Sequence, residues 1–285
     1  MAPAGIFDDT KLEAGLQLLR DWGYEVSEAK HLRSRFRYTA GPPAARCEDL
    51  HRALTEPGID AVWYVRGGYG SVHCLPGLPL IPDDRLVIGY SDATALFCGL
   101  QRREQGRGRI LHGPVLQSVP QHINHESREV LRRMLSTGEA PPLLGHSLVP
   151  GPEVSGPVVG GNLCVLASLV GTPWQLDARG SLLLLEDVGE APYKLDRLVT
   201  QLREAGCLEG VAGVVLGEFP KCDPPSEADW TLDDLFRDLL APLNIPVLAG
   251  VPVGHADNNH GFWYGARASL RSDRLVFEAA HPARS

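Results

Sequence analysis

Three residues of this chain carry the side chains that acyl transfer requires, and each closes an apolar run: Ser91, Glu186 and His255. A serine hydroxyl is a weak nucleophile at neutral pH. It needs a base to take its proton, and that base needs a third group to orient it and balance its charge. Serine, carboxylate and imidazole suffice, and they occur here in the order Ser, Glu, His, an order that recurs in another serine hydrolase fold. Ser91 lies in Gly89-Tyr-Ser-Asp-Ala93, between the apolar Leu86-Val-Ile88 and the apolar, helix-compatible stretch Ala93 to Leu100. A serine between a strand end and a helix start has the geometry of a nucleophile elbow, and the tight turn needs the small neighbours Gly89 and Ala93. The helix N-terminus adds free N–H groups and a positive partial charge beside the hydroxyl. Each residue also has a plainer reading. Ser91 or Asp92 would serve as an N-cap, Glu186 as a strand-end carboxylate facing solvent, and His255 as a hydrogen-bonded turn histidine.

Arg66-Gly67-Gly68-Tyr69-Gly70 is the second chemical signal. Consecutive glycines let backbone N–H groups turn toward a ligand without a Cβ clash. They could supply one donor to an oxyanion, with the N–H of Asp92 as the other. Neither G-x-x-x-x-G-K-[ST] nor G-x-G-x-x-G is present, which disfavours a phosphate loop; a plain structural turn stays open. His112, His255, His260 and Asp257 could ligate a metal, but there is no H-E-x-x-H and no paired Cys/His spacing. No metal and no cofactor is expected.

These residues need a scaffold, and the apolar periodicity describes one. A helix over 8–22 is followed by a turn and short strand at Gly23-Tyr-Glu-Val26, with only a shortened first strand before it. A second helix covers 46–55, and Ile59 to Val65 reads as a buried strand. The strand before the elbow, a helix to about Gln105 and Arg109-Ile-Leu-His-Gly-Pro114 follow. Strands alternating with helices predict a parallel sheet, with ligands beyond the carboxyl ends of its strands, where Gly67-Gly68, Ser91 and His112 all fall. A helix over 124–136 precedes a Pro- and Gly-rich stretch that reads as the domain boundary. Beyond it come helical 163–170, strand 181–186, helix 192–205, strand 211–216, helix 231–240, the strand 246–253 that delivers Gly254-His255, and a closing hairpin within 266–277. The expected division is 1–137, a linker over 138–157, and 158–285.

The chain has 285 residues, 44% hydrophobic and 22% charged, with a formal net charge of −8. That balance argues against a general nucleic-acid or anionic-membrane surface. No apolar run approaches a membrane span, and the first residues lack the basic start and apolar core of a secretory signal. Six scattered cysteines without a C-x-x-C pair fit reduced, mostly buried thiols,. The expected location is the cytoplasm.

Six segments, in order, resemble the LD-carboxypeptidases, serine peptidases related to the microcin C immunity peptidases. They are Arg66-Gly-Gly-Tyr-Gly70, Gly89-Tyr-Ser-Asp-Ala-Thr94, His112-Gly-Pro114, Gly160-Gly-Asn-Leu163, Leu185-Glu-Asp-Val-Gly-Glu190 with Pro192-Tyr-Lys-Leu-Asp196, and Gly254-His255. The resemblance implies an α/β protein with a Rossmann-like parallel-sheet N-terminal domain and a smaller, swivelling β/α C-terminal domain. It implies Ser91 as nucleophile, Glu186 as orienting acid, His255 as base, and Gly68 and Asp92 N–H groups as the oxyanion hole. It also implies a metal-independent homodimer that removes terminal D-alanine from murein-derived tetrapeptides during cell-wall recycling in a bacterial cytoplasm. Arg66, Gly67, Tyr69, His73, His112, Trp174 and Asn259 are the candidate substrate contacts. The chain departs from the family where His73 replaces a common arginine and where His260-Gly-Phe-Trp-Tyr264 is unusually aromatic. That aromatic run would either shift substrate preference or pack the closing hairpin. Two other functions fit the same residues. One is a microcin-immunity-type peptidase cleaving aminoacyl- or peptidyl-nucleotide amides, with Trp174 or Trp263 as a platform for the base. The other is a non-catalytic peptide-binding relative.

Overall fold

The computed structural model describes residues 1–102 and 107–278. The chain divides into two compact units, Met1–Asn124 and His125–Ser285.

In the first unit three strands, β1 (Ala61–Trp63), β2 (Ile81–Gly89) and β3 (Arg107–His112), pair in parallel, with Val62 opposite Val87 and Ile88 opposite Leu111. The first helix, α1 (Asp9–Asp21), is started by the Asp8 side chain, which accepts from the Lys11 N–H at 3.1 Å. Its Leu12, Leu16 and Leu19 recur at helical spacing and pack with Phe7, Leu32, Val65 and Leu116 in one buried cluster,. The second helix, α2 (Pro43–Thr55), has proline in its first turn, where a missing N–H costs nothing,. After the elbow, α3 (Ala93–Gln101) is buried from Ala93 to Leu100. No strand forms at Gly23-Tyr-Glu-Val26: Gly23 and Tyr24 donate to Arg20 and Leu19 carbonyls, ending α1, while Val26 packs on the core without a ladder. The N-terminal segment forms only an isolated bridge, Gly5 to Thr39, and hydrogen-bonds β1's continuation through Gly5 N–H to Gly67 O at 2.9 Å.

The second unit begins with α4 (His125–Thr137) and holds an eight-stranded sheet ordered β4-β12-β11-β6-β7-β8-β9-β5. These strands are β4 (Leu143–Leu144), β5 (His146–Val149), β6 (Val154–Asn162), β7 (Leu182–Glu186), β8 (Gly213–Leu216), β9 (Val247–Ala249), β11 (Arg267–Leu270) and β12 (Arg274–Phe277); the two-residue β10 is Phe262–Trp263. Neighbours β6 to β9 run parallel, and the outer strands are antiparallel. The central strands read as unbroken apolar runs because both faces are covered, and all five residues of β7 are buried,. Three helices, α5 (Leu163–Ser168), α6 (Pro192–Glu204) and α7 (Leu232–Leu240), complete the unit; α6 buries Leu195, Val199 and Leu202, and α7 opens on a Thr231/Asp234 capping box,.

Three expectations change. The stretch 138–157 is no linker: β4, β5 and the start of β6 occupy it as members of the sheet, and α4 belongs with them. The C-terminal unit is the longer of the two, because it takes in those segments. Cys47 and Cys74 are disulfide-bonded rather than reduced, since α2 packs against the short turn Ser71–Cys74 and brings their Cα atoms to 5.0 Å across 27 residues of chain.

Candidate active site

In the first unit the site is built from backbone. Ser91 has φ +60°, a left-handed conformation that a non-glycine residue rarely adopts and that clusters at functional positions,. The Gly67 backbone lies so close that a Cβ there would sit 2.8 Å from both Cβ and Oγ of Ser91. The Gly67 turn and the elbow at Ser91 therefore meet. Asp92 occupies the N-cap position of α3, but its carboxylate makes no capping bond. Instead its Oδ2 accepts the Ser71 N–H at 2.8 Å, which ties the elbow to the end of the Gly67–Gly70 turn. Burial pushes the Asp92 carboxyl above its ordinary value, against hydrogen bonds from Ser71 and Gly70 and the Arg46 charge,. Among the described residues the N–H groups of Gly68 and Asp92 have no intramolecular partner.

In the second unit the site is a pair of side chains. Glu186 is the last residue of β7, beside Asn162 of β6, and is fully buried. Its Oε2 lies 2.6 Å from Nδ1 of His255, and its Oε1 is buried without a protein partner. Glu186 therefore does not face solvent, and His255 is a hydrogen-bonded histidine of a bend. The His255 loop is tied to the end of β8, with Glu218 N–H donating to Val253 O at 2.9 Å and Val251 N–H to Leu216 O at 3.2 Å. Close approach of loop and carboxylate depends on Gly254: at φ +135°, a Cβ there would meet Glu186 Oε2 at 3.1 Å,. Burial lowers the His255 pKa, but the charge of Glu186, its hydrogen bond and the charge of Asp187 outweigh it, so the net shift is upward,. Asp187 accepts from Asn162 Nδ2, the Cys164 N–H and the Val188 N–H at 3.0, 2.9 and 2.8 Å, holding the β6–α5 turn against β7.

The substrate-contact candidates divide. Gly67, Gly68 and Tyr69 line the elbow's own turn, with Tyr69 about half exposed and edge-on to His73 at 5.4 Å. Arg66 is exposed and donates to Ile6 O. His112 is fully buried, edge-on to Tyr90 and Phe97 at 6.2 Å from each, which makes it a core residue. Asn259 is also fully buried; its Nδ2 donates to Gly254 O at 2.5 Å and its N–H to Ser127 Oγ at 3.0 Å, so it braces the His255 loop. Trp174 is half-buried in the turn after α5. Trp263 is 1% exposed and donates to Gly138 O at 2.8 Å, and Phe262 and Tyr264 are buried beside it. His260 lies 3.9 Å from Glu126.

A serine at a strained strand–helix elbow and a buried carboxylate–imidazole pair are the parts of a serine hydrolase. The chain belongs to the LD-carboxypeptidase family: residues 1–112 match its N-terminal domain and 155–270 its C-terminal domain. It is 35% identical over 289 residues to a murein tetrapeptide carboxypeptidase of Pseudomonas aeruginosa, covering 96% of this chain and 93% of that protein. A solved muramoyltetrapeptide carboxypeptidase from Oxalobacter formigenes superposes with TM-score 0.85 at 26% identity, covering 96% of this chain and 95% of that one. The microcin C7 self-immunity protein of Escherichia coli is 25% identical over 290 residues, 89% of this chain and 83% of that protein.

Proposed function

We propose that the protein is a serine-type LD-carboxypeptidase that releases terminal D-alanine from murein-derived tetrapeptides, with Ser91, Glu186 and His255 as its catalytic triad. The observation that carries the reading is the 2.6 Å Glu186–His255 pair in a chain whose elbow serine, Ser91, has a left-handed backbone. Glu186 holds Nδ1, which leaves Nε2 of His255 as the proton acceptor. In the reaction His255 takes the Ser91 proton as Oγ attacks the L,D-peptide carbonyl. The oxyanion forms on the Gly68 and Asp92 N–H groups, whose lack of internal partners supports that role,. Protonated His255 then gives its proton to the D-alanine nitrogen, the C–N bond breaks, and water, deprotonated by the same imidazole, releases the acyl group from Ser91.

The assay is D-alanine release from a muropeptide tetrapeptide by the wild type and by Ser91→Ala, with a loss of about 10⁴-fold or more in kcat expected for the variant. Equal release by both would sink the assignment. Cleavage of an aminoacyl sulfamoyl adenosine in the same assay tests the microcin-type reading. Trp174 is the remaining aromatic platform for that reading, since Trp263 is interior. Absence of Ser91 labelling by a serine-directed phosphonate would favour a peptide-binding relative. No described helix is long and apolar enough to cross a membrane. A homodimer in a bacterial cytoplasm completes the reading on the strength of the resemblance, and light scattering reports the dimer's mass.

A further inference from the structure

One buried cation lies outside this chemistry. Arg46 of α2 is 1% exposed, and its guanidinium donates to Gly41 O and Gly70 O, both at 2.9 Å, and to Pro3 O. Its Nη2 lies 2.9 Å from Nδ1 of His73; a guanidinium has no acceptor, so Nδ1 accepts,. A buried charge is tolerated when it is fully hydrogen-bonded, so these partners hold Arg46 and are held by it. Gly70 and His73 flank Ser71, whose N–H is bound from the other side by Asp92. The residue after Arg46, Cys47, is covalently joined to Cys74, the residue after His73. The chain from Gly70 to Cys74 is therefore gripped at Gly70, His73 and Cys74 by one turn of α2. It continues without a break from Gly68 and from Gly67, the residue packed against Ser91. The disulfide is reachable: a cavity of about 340 Å³ is lined by Cys47, Cys74, Glu48, His51, His73 and Leu78.

We propose that Arg46 is a positioning residue for the Gly67–Gly68 turn and that the Cys47–Cys74 disulfide locks it there, so that reduction by a dithiol slows acylation of Ser91. The inference rests on Ser91 being the nucleophile. In the exchange, a thiolate of the dithiol attacks one cysteine sulfur and the other cysteine leaves as thiolate. The second thiol then closes on the mixed disulfide and releases the first cysteine. The dithiol is oxidised to its disulfide, and two electrons and two protons end on the two cysteines. Without the crosslink, α2 and the turn are joined by hydrogen bonds alone. An oxyanion donor displaced by even a fraction of its bond length loses transition-state stabilisation.

The test follows the rate at which a fluorophosphonate labels Ser91 in the full-length protein, read by intact mass. Dithiothreitol should raise the thiol count from the four free cysteines to all six and slow labelling about tenfold. Cys47→Ser should label at the reduced wild-type rate and ignore dithiothreitol. Arg46→Lys should slow labelling in the oxidised wild type but add less than its full factor in the Cys47→Ser background, since both changes act on one turn. Equal labelling of oxidised and reduced wild type, with six thiols titrated, overturns the lock. Losses that simply multiply overturn the shared action of Arg46 and the disulfide. Collapse of the near-ultraviolet circular dichroism on reduction replaces a local lock by global unfolding and overturns it too. No labelling in either redox state overturns the nucleophile reading itself, and the lock with it.

Discussion

The elbow around Ser91 and the pair at Glu186 and His255 solve different problems. The elbow side is made of backbone: a left-handed serine at φ +60°, a glycine without room for a Cβ, and N–H groups left without internal partners. Two side chains, Asp92 and Arg46, hold the turn through hydrogen bonds to the Ser71 N–H and the Gly70 carbonyl. The second side is made of side chains, a fully buried carboxylate and an imidazole 2.6 Å apart, and its backbone serves to bring them close. A developing oxyanion is best met by fixed dipoles, which need no reorganisation, whereas proton transfer needs a titratable group tuned by a neighbouring charge. Substitutions on the second side should therefore move pH profiles, and those on the elbow side should move rates at all pH values.

Among the changes that test this comparison, the largest effect should come from Glu186→Gln. Removing the charge that orients and stabilises protonated His255 should lower kcat by about 10³ to 10⁴. The imidazole must be neutral to act as base, so activity rises as pH passes through its pKa. In the wild type that limb should lie above the ordinary histidine value of 6.5, because Glu186 and Asp187 outweigh burial. In the variant burial loses its main opponent, and the limb should move to lower pH. A kcat/KM profile whose acid limb stays in place would remove Glu186 as the group that sets it.

Gly67→Ala comes next and tests the other side. The new Cβ would sit 2.8 Å from Cβ and Oγ of Ser91, where one of the two must shift. A fall of about 10² in kcat is expected, comparable to losing one oxyanion donor, with the pH limb unmoved. A moved limb with an unchanged plateau would break the division of labour between the two regions.

These two regions were not equally readable before the structure. The strand end at Glu186 and the elbow after Gly89 follow from apolar runs closed by small or polar residues, which is local information, whereas β1 stops at Trp63 and β9 at Ala249, short of Gly67 and of His255, which the sequence places at strand ends,. The resemblance added their order. Arg46 was invisible because Pro-Ala-Ala-Arg-Cys-Glu reads as an exposed helix turn; its burial is set by carbonyls at positions 3, 41 and 70, which only the fold brings together. The same holds for the Cys47–Cys74 link, and for His112 and Asn259, polar residues whose burial no local pattern announces. The Pro- and Gly-rich 138–157 read as a linker because its strands, at two to four residues, are too short to show alternation.

The smallest effect is the one that separates holding from reacting on the elbow side. Asp92 has a raised carboxyl pKa, chiefly because burial penalises its charge. A carboxyl whose folded pKa lies above its unfolded value of 3.8 contributes stability that is complete below that value and lost as pH rises through the folded pKa,. Once ionised, the group carries an uncompensated part of its desolvation cost. Asp92→Asn keeps an oxygen for the Ser71 N–H and cannot ionise. Its Tm relative to the wild type should therefore climb as pH rises from about 4 through the folded pKa of Asp92, by about 2–4 °C for each kcal/mol of penalty removed,. Since the backbone N–H of residue 92 is unchanged, kcat should fall much less than in Gly67→Ala. A Tm difference that instead grows unfavourable with pH would show that the negative charge itself holds the turn, through Arg46 and the N–H groups of Gly70 and Ser71, and that backbone and charge cannot be separated in this half of the site.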